Sequence, residues 1–433
     1  MAKIKFPFTL GVASGEPAPD GVMLWTRLAP DPLNGGGMPA SSFDVRWEVA
    51  EDEAFGRLTA SGTARAQPAG AHSVHVKVAG LRPSSVYFYR FRVDGHTSRV
   101  GRTKTAPAAG STAPVRIAVA SCQRYEHGYF TALKHLAAEQ PDVVLHLGDY
   151  IYEYGKPAAP APGRYVRPLK DSTAACTTLN AYRERYALYR LDPDLQAAHA
   201  AAPWLTIPDD HEVVNNYQGK TGDAKRRRAA YQANYEHLPY RVKPGGDAMQ
   251  FYRWRPFGKV ADLLLADVRQ YRTPGDMLGP AQTTWLLDRL TTSAARWTVL
   301  AQPLFFAPRN PPSADAWDAF PASRAKILQA APDDLVVLSG DVHNAWAGEL
   351  DRGVEFVATA VSSAPPAVRD DALERNPHLR FFDGHRGYLV AHASMEEFTV
   401  DYRTVAYVDR PGAPVSTAAS FRAVGNKLVR IDL

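Results

Sequence analysis

The sequence predicts an α/β protein carrying an all-β segment at its amino end. Three observations carry that reading. Residues 5–105 alternate apolar and polar residues with period 2 between Pro, Gly and Asp turns. Beyond residue 115 come short apolar runs without alternation, separated by helical stretches. Acids, a cysteine and histidines stand immediately after several of those runs, where α/β sheets gather their ligands.

Bulk properties set the frame. The 433 residues suffice for a large core and two domains, and 45% hydrophobic with 22% charged residues is a globular composition. No apolar run approaches the roughly 20 residues that cross a bilayer. A net charge of +5 favours anionic ligands and is too small to argue for DNA binding. The basic run Lys225-Arg226-Arg227-Arg228 lies in a helical stretch and reads as a solvated face, not a nucleic-acid patch. Two cysteines, Cys122 and Cys176, are too few for a disulfide framework. The start, MAKIKFPFTLGVASG, has an apolar segment broken by Pro7 and Gly11, so it reads as the approach to a first strand and not as a signal peptide.

Strands are expected at VMLWTRL (22–28), FDVRWEVA (43–50), SVHVKVAG (73–80) and VYFYRFRV (86–93). The GLRPSS turn before the last of these resembles the corner of fibronectin type III sandwiches, and APAAGSTAP (106–114) has a linker's composition. The predicted division is therefore a β-sandwich over 1–108 and an α/β domain over 115–433. In the second part, strands are expected at 115–122, 141–149, 259–270, 297–303 and 334–344. Helices are expected at 128–140, 181–202, 280–293 and 323–331, with a Pro-rich loop over 155–168. The tail STAASFRAVGNKLVRIDL reads as strand-like, which leans towards an open pocket.

Four strand ends offer metal ligands. They are Ser121-Cys122-Gln123, Gly148-Asp149 with Tyr152 close behind, Asp209-Asp210-His211-Glu212, and Gly340-Asp341-Val342-His343-Asn344. Each has an ordinary account: Cys122 as a small buried hydrophobe, Asp149 as a helix cap, Tyr152 as core, Asp210-His211 as a loop pair. Asp341 and His343 resist one, because alternate residues at an extended strand end point the same way. Four independent coincidences would be needed, so the joint pattern points to metal.

SCQRYEHGYF, LHLGDYIYEYG, PDDHEVVNNY, LLLADVRQYR and LSGDVHNAW together resemble the successive motifs of the PhoD-like alkaline phosphatases/phosphodiesterases. That family is a branch of the calcineurin-like metallophosphoesterases. FTLGVASGEPAPDGVMLWTRL is similar to the start of the family's amino-terminal β-sandwich, and Pro208 stands where the family commonly carries a tryptophan. The resemblance implies a four-layer metallophosphoesterase α/β sandwich preceded by the small all-β, fibronectin type III-like domain. It implies Fe3+ held by Cys122, Asp149, Tyr152 and His343, an anionic donor set unlike imidazole-rich zinc sites. It further implies one or two Ca2+ ions on Asp149, Asp210, Asp341 and Asn216, all oxygen donors. Tyr150 and Tyr154 are left to pack or to line the pocket.

By the same resemblance a metal-bound hydroxide attacks phosphorus in line, and His211 contacts the phosphoryl group or protonates the leaving oxygen. Arg269 is a candidate phosphate clamp, with pairing to Asp267 as its structural alternative. Expected substrates are phosphomonoesters or phosphodiesters, with a teichoic acid or phospholipid diesterase as the alternative. A cell-surface binding module with a vestigial catalytic domain is a third reading, against which every motif position carries a competent side chain. The protein is expected to be exported and monomeric.

Overall fold

The computed structural model describes residues 4–158, 165–170, 173–220 and 223–432. Two large sheets form the centre. The first has ten strands, in the order Lys427–Ile431, Val415–Val424, Phe398–Val405, Arg386–Ala393, Val115–Ala120, Val143–Leu147, Pro203–Ile207, Val12–Ala18, Gly21–Arg27, Ser73–Ala79. The second has seven: Arg253–Phe257, Ala261–Leu265, Trp297–Ala301, Val336–Ser339, Val354–Val357, Ala345–Glu349 and Leu379–Asp383. In each, the central strands run parallel and are buried on both faces, which is why they read as unbroken apolar runs.

The sheets pack face to face. Val119 and Leu145 of one share a core with Leu263, Val299 and Phe356 of the other, and the Trp297 ring meets Phe398 edge-on at 5.6 Å. Helices Gly279–Thr292 and Pro321–Ala330 cover the outer face of the seven-stranded sheet, through Leu286, Leu290 and Ile327. Helices Thr131–Ala138, Leu179–Arg190, Pro193–Ala201 and Ala224–His237 contribute Leu133, Tyr186, Leu195 and Tyr231 to the core of the ten-stranded sheet. This is the expected four-layer sandwich. Its consequence for function is that the carboxyl ends of the parallel strands in both sheets deliver their loops to one region.

The amino-terminal sandwich borrows a layer from this sheet. Val12–Ala18 pairs in parallel with Pro203–Ile207, at Ser14 opposite Pro203, and carries Gly21–Arg27 and Ser73–Ala79 with it. A five-stranded sheet built on Phe43–Ala50 and Val86–Val93 packs over them, burying Val45, Val49, Tyr89 and Phe91 against Val12, Leu24, Val74 and Val76. The sequence changes texture near residue 110, yet the hydrogen-bonded sheet runs across that point. Glu16 adds a cross-tie, pairing with Arg253 at 2.8 Å and with Arg255 on the edge strand of the seven-stranded sheet. The corner before Val86 closes as its resemblance implied, the Arg82 N–H donating to the Tyr87 hydroxyl at 3.0 Å.

Some expectations change. The helix expected over 181–202 is two, because Asp192-Pro193 restarts it: Pro193 cannot continue the first helix, and the Asp192 carboxylate accepts from the N–H groups of Asp194 and Leu195. The strands expected over 259–270 and 334–344 end at Leu265 and Ser339, since the residues beyond turn out of the sheets to build the site. Only part of the basic run is a solvated face. Arg227 is buried on Asp247 at 2.6 Å and Arg226 donates to the Tyr182 hydroxyl, while Lys225 and Arg228 are exposed. Within the Pro-rich loop over 155–168, residues 159–164 lie outside the described residues. The tail forms an antiparallel hairpin at the outer edge of the ten-stranded sheet, and both cysteines are free.

Candidate metal centre

Four ligand candidates sit just past strand ends and Asn216 in the loop after Ile207, all in backbone that most residues avoid. Cys122, Asp149, Asn216, Asp341 and His343 have φ of +56°, +56°, +55°, +68° and +59°. Non-glycine residues pay for left-handed backbone, and such outliers concentrate where function over-determines them. Gly148, at φ +87°, makes the approach possible: a Cβ there would stand 2.4 Å from the Asp209 Cβ. Gly340 does the same for the neighbouring strand end, where a Cβ would meet the Ser121 Oγ at 2.6 Å.

Two groups of donor atoms result, and they share a residue. Donors of Cys122, Asp149 and His343 all lie within 4.8 Å of one another, as do those of Asp149, Asp210 and His211. Tyr152 enters the first group, its hydroxyl 2.7 Å from Asp149 Oδ2 and 3.1 Å from His343 Nε2. His343 Nδ1 donates to the Ala364 carbonyl at 2.9 Å, which leaves the Nε2 lone pair facing the group. Asp210 accepts the Asn216 N–H at 2.5 Å and the His211 N–H at 3.0 Å. Beneath both groups, Glu212 accepts from the N–H groups of Asp149, Tyr150 and Asp209, tying two loops together.

The electrostatics call for a cation. Burial pushes the Cys122 thiol and the Tyr152 phenol well up, and the Asp149 carboxylate adds to both shifts. Burial likewise raises Asp149, opposed by His211 and reinforced by Asp210 and Asp209. Asp341 rises to about 6 through burial, against the pull of Arg269. Burial works against a charged His211, but Asp149, Asp210 and Glu153 overcome it and lift its pKa to about 10. Asp149 Oδ1 is buried without a hydrogen-bond partner. A cluster of buried acidic donors with an orphaned carboxylate oxygen is costly alone and suits polyvalent cations. The residues fit metal ions.

Each predicted residue has a place, and two differ from expectation. Asp341, His343 and His211 line a cavity of about 600 Å³, together with Tyr152 and Tyr154. Tyr150 instead packs in the core, its hydroxyl 2.8 Å from His199 Nε2. Asn216 reaches Asp210 through its backbone, while its side chain is exposed. Arg269, the candidate phosphate clamp, is not among the residues that line the cavity. Its guanidinium is fully buried behind the site, bonded to Asp209 at 2.5 Å and to both oxygens of Asp315, so it holds Asp209 and neutralises the acids from behind. Its ion-pair partners are those acids and not Asp267.

Several residues that shape the site are missing from the sequence reading. Glu153 accepts from His211 Nδ1 at 2.8 Å and is signalled only by its place between Tyr152 and Tyr154. Ser363 touches the Tyr152 hydroxyl at 2.9 Å from a loop that carries no recognisable signal. Arg124, two residues after Cys122, faces the cavity.

Comparison with known proteins agrees with this architecture. The family profile described as PhoD-like phosphatase matches residues 117–402, and that of the PhoD-like phosphatase N-terminal domain matches 1–107. Alkaline phosphatase D of Bacillus subtilis (strain 168) is 45% identical over 475 aligned positions, covering 96% of this chain and 80% of that protein. Purple acid phosphatase 15 of Arabidopsis thaliana is 32% identical over 62% of this chain and 48% of its own length. A solved structure of PhoD superposes with a TM-score of 0.94 at 43% identity, over 99% of this chain and 92% of that one. The purple acid phosphatase PPD1 from yellow lupin shares the fold, with a TM-score of 0.64 at 13% identity, over 92% of this chain and 72% of that one. The chain belongs to the PhoD-like phosphatase family.

Proposed function

We propose that this phosphoric ester hydrolase cleaves phosphomonoesters and phosphodiesters at a mixed centre of one ferric ion and one or two calcium ions. One observation carries the proposal: the two donor groups are distinct in chemistry yet share Asp149, as a bridging carboxylate must. Cys122, Tyr152 and His343 would hold iron beside Asp149, a set in which thiolate and phenolate favour a trivalent ion. Asp210 and Asp341, with Asn216 as a further oxygen donor, would hold calcium. When bound, the ions supply an activated water and offset charge on the phosphoryl oxygens.

The chain's own residues do the rest. Glu153 occupies His211 Nδ1, so Nε2 is the nitrogen left to hold or deliver a proton at the leaving oxygen. Arg269 fixes Asp209 and steadies the segment that presents Asp210. Cys122, Asp149, Tyr152 and Asp210 are buried, whereas Asp341 and His343 face the cavity from which a substrate would approach.

A diesterase for a longer substrate, a teichoic acid or a phospholipid, is the second reading. It is favoured by the size of the cavity and by its apolar walls at Val342, Trp346, Val368 and Leu379. No described residue after Leu379 lines the cavity, so the carboxy-terminal strands do not narrow it. The protein is also proposed to act as an exported monomer. Among the described residues no helix is long and apolar enough to cross a membrane.

Metal analysis and the visible spectrum of the purified protein, with assays on p-nitrophenyl phosphate and its bis-ester, test the proposal. Turnover with iron and calcium bound is expected. Bound metals without turnover of either ester would favour the binding-module reading instead.

A further inference from the structure

We propose that Arg124 is the residue that grips the substrate's phosphoryl oxygens, and that Tyr165 holds its guanidinium in place for that task. The proposal rests on the hydrolase reading above and adds the group that receives the anion. Arg269, the arginine that the sequence offers for this role, does not line the cavity: its Nε is on Asp209, its Nη1 on Asp315, and its Nη2 stands 3.8 Å from Asp210 without a hydrogen bond. Arg124 shares the cavity wall with the donor residues Tyr152, His211, Asp341 and His343.

Its surroundings are those of a positioned cation. The guanidinium carbon lies 4.7 Å from the Tyr154 ring centre, 5.5 Å from Tyr152 and 5.6 Å from Tyr165. Three aromatic rings at such distances orient a guanidinium and strip water from it. Nη2 donates to the Tyr165 hydroxyl at 3.0 Å, while Glu126 is at the long distance of 3.5 Å. Nε is buried with no hydrogen-bond partner. A half-buried cation with one good neutral acceptor and one stretched carboxylate keeps donor capacity for an incoming anion.

The backbone ties this arginine to the donor group. The Arg124 N–H donates to Ser363 Oγ at 3.0 Å, and the same hydroxyl contacts Tyr152 OH at 2.9 Å. Ser362 Oγ donates to the Arg124 carbonyl at 2.8 Å. Tyr152 and Arg124 are thereby set from one serine loop, which fixes the cation relative to the centre. The other arginines of the cavity are differently committed. Arg309 pairs with Asp318 at 3.3 Å, and Arg369 pairs with Asp371 at 2.8 Å. Arg375 donates to Asn310 and stands 4.0 Å from Asp371.

Inorganic phosphate is the probe. Its binding to the metal-loaded protein is followed by calorimetry, and its competitive inhibition by assay, in wild type, Arg124→Lys, Arg124→Ala and Tyr165→Phe. Arg124→Ala should weaken phosphate binding and raise KM by roughly ten- to a hundredfold, the loss of a charge-assisted contact, with metal content unchanged. Arg124→Lys should recover part of that loss, and Tyr165→Phe should raise KM several-fold with little change in kcat. Phosphate affinity within twofold of wild type in Arg124→Ala would overturn the proposal. So would loss of metal in Arg124→Lys together with loss of phosphate binding, because the arginine would then be holding the centre and not the substrate. A wild type inert towards esters would defeat the hydrolase reading, whereas phosphate affinity that falls in Arg124→Ala would still uphold the arginine.

Discussion

The Tyr152 hydroxyl lies 2.7 Å from Asp149 Oδ2, so one turn of chain after a buried strand presents a phenol and a carboxylate to the same point. His343, from the other sheet, meets that phenol at 3.1 Å. The proposed iron position is defined by this three-way contact.

Tyr152→Phe removes the phenolate while keeping the ring whose centre lies 4.2 Å from that of His211. The visible charge-transfer band of the iron-loaded protein should bleach, and turnover should fall by two orders of magnitude or more, about 3 kcal/mol in the barrier. A spectrum identical to wild type would remove Tyr152 from the ligand set.

Asp149 belongs to both donor groups, so Asp149→Asn should lower the content of iron and calcium together. Elemental analysis reads this directly. Loss of only one metal would show that the carboxylate does not bridge.

Gly148→Ala places a methyl 2.4 Å from the Asp209 Cβ and 2.7 Å from its nitrogen, in left-handed backbone. Overpacking against backbone costs about 1–3 kcal/mol. The variant should melt several degrees lower and bind metal more weakly, measured by thermal denaturation with and without added ions. A melting temperature equal to wild type would mean that the Asp209 loop yields freely.

Glu16 is buried, and burial alone would raise its pKa; Arg253 and Arg255 outweigh that and hold it below its ordinary value of 4.5. A carboxyl whose folded pKa is depressed stabilises above its unfolded pKa and loses that contribution as pH falls. Glu16→Gln should therefore cost about 3–5 kcal/mol near neutrality, as breaking a buried pair does. The gap to wild type should shrink as pH drops below about 4.5. Denaturant melts at several pH values check this, and a gap independent of pH would show that the charge is not what stabilises the junction.

Much of the site was legible because it is local. Asp149 and Tyr152, or Asp341 and His343, lie within a few residues of apolar runs that announce the strand ends. Asp341 and His343 nonetheless converge through left-handed backbone beyond Ser339 and not through the alternation of an extended strand. Arg269 shows where locality fails. A guanidinium just beyond a strand end looks like a clamp, and only the fold reveals that Asp209 and Asp315 reach it first. Ser363 had no local signature, since its role is simply to lie across from Tyr152.

By itself the sequence determined the class of fold, the strand ends and the donor types, because periodicity and side-chain chemistry are properties of neighbouring residues. Tertiary structure alone decided that the amino-terminal strands extend the central sheet at Ser14 and Pro203, and that Arg124 and not Arg269 faces the cavity. Those outcomes depend on which distant segments pack together and on which charges are already neutralised when they do.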